Sequence, residues 1–281
     1  MSAILLEKGL VHYEAFGHGK PVVFLHGWLG SWRYWMPTME ELADRYRAYA
    51  LDLWGFGDSE KPGEGYRIEE YTEQVAAFLA SMGIAQASFV GHSLGGVVAL
   101  YLALTQAVRV EKLVLVATPV HGAALSGMVK LLRSPLGRLA GARTLMDLWM
   151  RSLKRVSAPW AEMYEEIVED TAKVDHWAVL ESLTSLLELD LRSALNRLYA
   201  HTLVVFGSRD EFVDPHQANL FADGRVPVAQ VVVLDGCRHF PFLEEPGKFN
   251  RLLKEFLATP LGQAVAVKDE WRRRYHQTDY L

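Results

Sequence analysis

Short β-branched runs alternate with segments of helical period along the first part of the chain. "PVVFLHG" precedes a helical pattern over Trp32–Tyr46, and "YRAYALD" precedes another over Ile68–Met82. "ASFVGHS" then leads into Leu94–Thr105, and "KLVLVATP" follows. Strands that are apolar without alternation have both faces buried, which predicts a parallel sheet covered by helices on both sides. Two earlier segments, "AILLEKG" and "LVHYEAFG", alternate enough to form an antiparallel hairpin at one edge, while "HTLVVFGSRD" and "AQVVVLDG" supply two late strands. The expected architecture is a doubly wound, mostly parallel, eight-stranded α/β sheet.

The alternation stops between the sixth and seventh strands. Residues 120–198 carry helical periodicity, broken by Gly137, Gly141 and Pro159, and contain no convincing strand. This insert is expected to be a helical cap, with 1–119 and 199–281 forming the core. Its charges divide: Lys130, Arg133, Arg138, Arg143, Arg151, Lys154 and Arg155 oppose only Asp147, whereas 159–190 is acidic apart from Lys173. Solvated faces over an apolar interior account for the pattern; a membrane-surface contact through Leu131, Leu132, Trp149, Met150 and Leu153 is the weaker alternative. The charged tail "VKDEWRRRYHQTDYL" reads equally as a terminal helix or a disordered end.

With 281 residues, half of them hydrophobic, the chain can bury one large core. A net charge of −5 gives no general electrostatic reason to bind nucleic acid, so a small-molecule partner is the default. The single cysteine, Cys237, and a first segment without signal-peptide features lead us to expect a cytoplasmic protein. No apolar run approaches the length of a bilayer span, so no stable membrane insertion is expected. Oligomeric state, monomer or dimer, is left open.

Candidate chemistry centres on "FVGHSLGG". Ser93 lies between Gly91 and Gly95 where a strand gives way to a helix, a turn tight enough for flanking side chains to collide. A serine hydroxyl is a weak nucleophile and needs a base, a group to orient that base, and donors for an oxyanion. "HGWLG", "DLWGFGDS", "GHSLGG", "FGSRDEFVDP" and "GCRHFPFLEEP" occur in an order that resembles the α/β-hydrolase fold family over about Pro21 to Leu257.

The resemblance implies a triad in the chain order Ser93, Asp210, His239, with the backbone N–H groups of Trp28 and Leu94 as oxyanion donors and no metal or cofactor. Asp214 is the rival acid, but "VDP" reads better as a helix N-cap before Pro215. His121 is the rival base, and His26 is expected to brace the oxyanion loop. Cys237 is read as a small loop residue. His92, Trp54 and Trp149 are candidates for the substrate pocket. Relatives acting on epoxides or halides carry an aspartate where this chain has Ser93, which weighs against both reactions despite Tyr164 and Tyr199 in the insert.

The expected activity is hydrolysis of an ester-like bond, in a carboxylester, lactone or thioester, of a small apolar or aromatic substrate through an acyl-enzyme. A carbon–carbon hydrolase or a cofactor-free perhydrolase on the same triad is the alternative, and a ligand-binding member without turnover is a more distant one.

Overall fold

A computed structural model describes residues 2–106, 109–131, 149–151, 153, 161–222 and 226–266. Arg133, Arg138, Arg143, Lys154, Arg155 and the tail beyond 266 lie outside them. Eight strands form one sheet: β1 (Ser2–Leu6), β2 (Gly9–Phe16), β3 (Lys20–Leu25), β4 (Tyr46–Leu51), β5 (Ala87–His92), β6 (Val110–Val116), β7 (His201–Gly207) and β8 (Ala229–Leu234). Their spatial order is β1-β2-β4-β3-β5-β6-β7-β8. The pairs β1–β2 and β2–β4 are antiparallel and every later pair is parallel.

The physical reason is visible strand by strand. Val22 to Leu25, all of β5 and all of β7 are buried on both faces, as strands under two helical layers must be. Helices α1 (Met36–Leu42), α2 (Ile68–Ser81) and α3 (Leu94–Thr105) form the first connections. The predicted helix over Trp32–Tyr46 is shorter than expected: Trp32–Trp35 is a 3-10 turn, and the α-helix begins only where Pro37 can occupy its first turn. Helix α3 buries most of its residues, because it packs against both the sheet and α2.

Between β6 and β7 lie α4 (Gly127–Leu131), α5 (Ala161–Ala172) and α6 (His176–Glu188), followed by a 3-10 turn at Arg192–Arg197. Strand pairing here is limited, among the described residues, to isolated bridges between His121 and Asp190 and between Leu125 and Val213. The acidic helices of this insert meet cations of the core: Arg33 pairs with Glu166 at 2.8 Å and Asp170 at 2.6 Å, and Arg67 with Glu188 at 3.1 Å. Trp149 and Leu153, from the basic stretch, are buried and contribute to the core, so these two face inward rather than toward a membrane. After β8 come α7 (Pro241–Glu244) and α8 (Pro246–Ala258), whose Phe249, Leu252, Leu253 and Phe256 repeat at helical spacing and seat it against the core. Among the described residues no helix is long and apolar enough to cross a membrane.

Candidate active site

Strand β5 ends at His92 and α3 begins at Leu94, so Ser93 alone makes the turn, at φ 49° and ψ −114°. Such a conformation costs a non-glycine residue of order 1–3 kcal/mol. It persists because the surroundings leave no alternative. Ser93 N–H donates to the Val116 carbonyl at 2.9 Å, and a Cβ at Gly95 would press on the carbonyls of Leu25 and His26. At Gly91 a Cβ would meet the backbone of Gly95 and Gly96. The expected steric need for both glycines is thus met by named atoms.

Strand β7 delivers Asp210 and the loop after β8 delivers His239. These loops lie against each other because Gly207 has no side chain: a Cβ there would strike the carbonyls of Cys237 and Arg238. His239 Nδ1 donates to the Asp210 carboxylate, 2.8 Å from Oδ2 and 3.0 Å from Oδ1. The N–H groups of Phe212 and Val213 also donate to Oδ1, at 2.9 and 3.0 Å. Both side chains are fully enclosed. His239 Nε2 is buried and has no hydrogen-bond partner among the described residues. The ring lies between Trp149 (5.4 Å), Phe212 (5.1 Å) and Phe240 (5.2 Å).

The loop after β3 packs directly on the serine turn, since a Cβ at Gly27 would come within 3.2 Å of Ser93 Cβ. Leu94, the first residue of α3, has an N–H with no acceptor inside the helix. The Trp28 N–H likewise meets no described acceptor. His26 braces this loop: its Nδ1 donates to the Gly27 carbonyl at 2.7 Å, its Nε2 accepts from Leu53 N–H at 3.0 Å, and burial lowers its pKa. The Trp28 indole donates to Ser182 Oγ on α6 at 3.2 Å and meets Trp149 edge to face at 6.2 Å.

Trp149 therefore lies over both His239 and the Trp28 loop. His92 does not belong with it as a pocket residue: it is fully buried behind His239, among Phe240 and Phe242. Trp54 is also buried, its carbonyl accepting from the Tyr71 hydroxyl at 3.1 Å, and the next residue, Gly55, lies against Ala178 of α6. Asp214 caps the 3-10 turn Pro215–Leu220 by accepting the His216 N–H at 2.9 Å, as its sequence context predicts. His121 bridges to Asp190, apart from the Asp210–His239 pair. Burial pushes the Cys237 thiol up to about 12, which suppresses its thiolate. Tyr199 is largely exposed, and the Tyr164 side chain lies outside the described residues.

Sequence reasoning missed one network. Asp52, buried at the end of β4, accepts from His12 Nδ1 at 2.8 Å, Trp32 N–H at 2.7 Å and Asp58 N–H at 3.0 Å. His12, Asp52 and Asp58 place three potential metal-ligand atoms within 4.8 Å of one another. The donor set fits a cation poorly, because N–H groups already occupy Asp52 while Arg33 and Lys173 face Asp58. Its evident effect is to tie β2, the Trp32 turn and the loop after β4 together.

Residues 20–246 match the family model described as alpha/beta hydrolase fold, and the chain belongs to that family. It is an enzyme of the hydrolase class. It is 34% identical over 258 residues to a pimeloyl-[acyl-carrier protein] methyl ester esterase of Aeromonas hydrophila, covering 88% of this chain and 99% of that protein. Among solved structures, a bromoperoxidase from Bacillus anthracis superposes with a TM-score of 0.81 at 24% identity, covering 92% of this chain and all of that one. The enol-lactonase from Burkholderia xenovorans LB400 gives 0.78 at 23% identity, with the same coverage.

Proposed function

We propose that this ester-cleaving α/β hydrolase works through Ser93, His239 and Asp210 by way of an acyl-enzyme. Ser93 Oγ attacks the ester carbonyl carbon while His239 Nε2 takes its proton. Asp210 holds Nδ1 and stabilises the imidazolium that forms. The Trp28 and Leu94 N–H groups receive the oxyanion, each such donor typically contributing about 3–4 kcal/mol to the transition state. His239 then returns the proton to the leaving alcohol, and a water activated by the same nitrogen releases the acid and frees Ser93.

The observation that carries this reading is the state of His239: one ring nitrogen is held by a buried carboxylate and the other is buried without a partner. An unpaired buried nitrogen is costly and calls for an explanation; here a general base that is also held by a buried carboxylate supplies one. Residues 120–198 act as the cap and 1–119 with 199–281 as the core. Trp28, Trp149, Phe212 and Phe240 supply an aromatic wall, which favours a small apolar or aromatic acyl group. The esterase relative supports a carboxylic ester as the scissile bond.

The test is hydrolysis of short p-nitrophenyl esters by Ser93→Ala, with an expected loss of about 10^4-fold or more in kcat. Asp210→Asn is expected to lose about 10^3–10^4-fold. A fluorophosphonate probe should label the wild type at Ser93. Undiminished turnover by Ser93→Ala overturns the assignment.

A further inference from the structure

We propose that Glu244 and His92 are positioning residues for His239: Glu244 clamps the two peptide N–H groups that flank the histidine, and His92 holds its carbonyl. Together they set the aim of the imidazole at Ser93. The proposal rests on the reading of His239 as the general base.

His239 sits in a loop between β8 and α7, with no helix or strand of its own to fix it. Its peptide surroundings are nevertheless held at three points. Glu244 Oε2 accepts the Arg238 N–H at 2.9 Å, and Oε1 accepts the Phe240 N–H at 3.0 Å. One carboxylate thus straddles the histidine from the residue before it to the residue after it. The third point is the His239 carbonyl, which accepts from His92 Nε2 at 2.9 Å. A carbonyl only accepts, so His92 carries its proton on Nε2. Burial, reinforced by the neighbouring His239, pushes the His92 pKa well below its ordinary value and keeps the ring neutral.

Two features separate this arrangement from an ordinary closed turn. His92 is the residue immediately before Ser93, so the turn that carries the nucleophile also grips the backbone of the base. Any shift of one is transmitted to the other. Glu244, for its part, is half-buried, and burial pushes its carboxyl above the ordinary range against the lowering effect of the Arg238 and Phe240 N–H donors. A neutral acceptor would avoid the desolvation cost but present one oxygen instead of two. A carboxylate is the side chain that accepts from two N–H groups at once.

The experiment measures kcat and KM separately on p-nitrophenyl esters, together with the melting temperature. The variants are Glu244→Gln, Glu244→Ala, His92→Gln and His92→Phe, with Ser93→Ala as reference and Glu245→Gln, at the exposed Lys248 pair, as control. Misplacing a catalytic group by about 1 Å costs about 100-fold. Glu244→Ala should therefore lower kcat about 100-fold with KM within about twofold. Glu244→Gln, which keeps one acceptor, should lose about 5–20-fold, the equivalent of one hydrogen bond. His92→Gln, whose amide N–H reaches about as far as Nε2, should retain more kcat than His92→Phe. Glu245→Gln should match the wild type.

If Glu244→Ala and His92→Phe keep kcat within about twofold, or lower only the melting temperature, the proposal is overturned. Should Glu244→Ala fail to fold, the Glu244→Gln and His92 variants decide it by the same criteria. Turnover by Ser93→Ala would sink the triad reading itself, whereas a silent Glu244→Ala beside an inactive Ser93→Ala sinks the clamp alone.

Discussion

His12 illustrates how a single residue is set by its surroundings rather than by its neighbours in sequence. Burial opposes a charge on its ring, but the hydrogen bond and charge of Asp52, with Asp58 and Glu14, outweigh it and raise the pKa. A raised folded-state pKa stabilises the fold fully below the unfolded value of about 6.5, and that contribution is lost as pH rises through the folded value. Urea unfolding of wild type and His12→Gln should accordingly differ more at pH 6 than at pH 9. A difference that grows toward pH 9 would contradict the pairing. At this scale the sequence led to the tight packing at Gly91 and Gly95 around Ser93, because that need is local and steric, and it proposed the pairing of Asp210 with His239 that the structure contains. It misjudged His92, whose side-chain direction depends on a carbonyl 147 residues away. Asp52 stayed invisible for the same reason, since His12 and Trp32 lie 40 and 20 residues away. Glu244 was missed although the Arg238 and Phe240 N–H groups are only six and four residues before it, because the conformation of the loop decides whether its carboxylate meets them.

At the scale of elements, strand and helix positions followed closely from the period of apolar residues. Helix α3 spans the expected Leu94–Thr105, and β5, β7 and β8 fall within the runs that predicted them. The miss at Trp32–Tyr46 has a local cause in Pro37 and a distant one in Asp52, which takes the Trp32 N–H and fixes the preceding turn. What no periodicity revealed is how the insert is tied down. The Asp170 carboxylate of α5, only 3% exposed, bonds Arg33 in the turn that follows the loop after β3. Asp170→Ala leaves that guanidinium with Glu166 and the more distant Asp58, and should lower unfolding stability by about 1–3 kcal/mol. Chemical denaturation measures it; an unchanged midpoint would show the pair to be idle.

For the whole molecule, the sheet order makes a gradient of stability. Strand β1 is hydrogen-bonded on one side only and exposes Leu5, whereas β5 lies between β3 and β6 and is buried throughout. Amide exchange should release Ser2–Leu6 by local opening, while the β5 amides should exchange only at the global unfolding free energy. Equal protection of the two strands would contradict this order. The sequence by itself determined the class of fold and the order of its elements and supplied the candidate site residues, since these follow from local periodicity, turn sterics and the chemistry a weak nucleophile requires. Tertiary structure alone decided which way His92 faces, how Asp52 joins β2 to the Trp32 turn, and that Trp149 of the insert lies over His239 while Trp54 is buried beside α6. Those outcomes depend on contacts between residues far apart in the chain, and such contacts exist only after the sheet and the insert have packed.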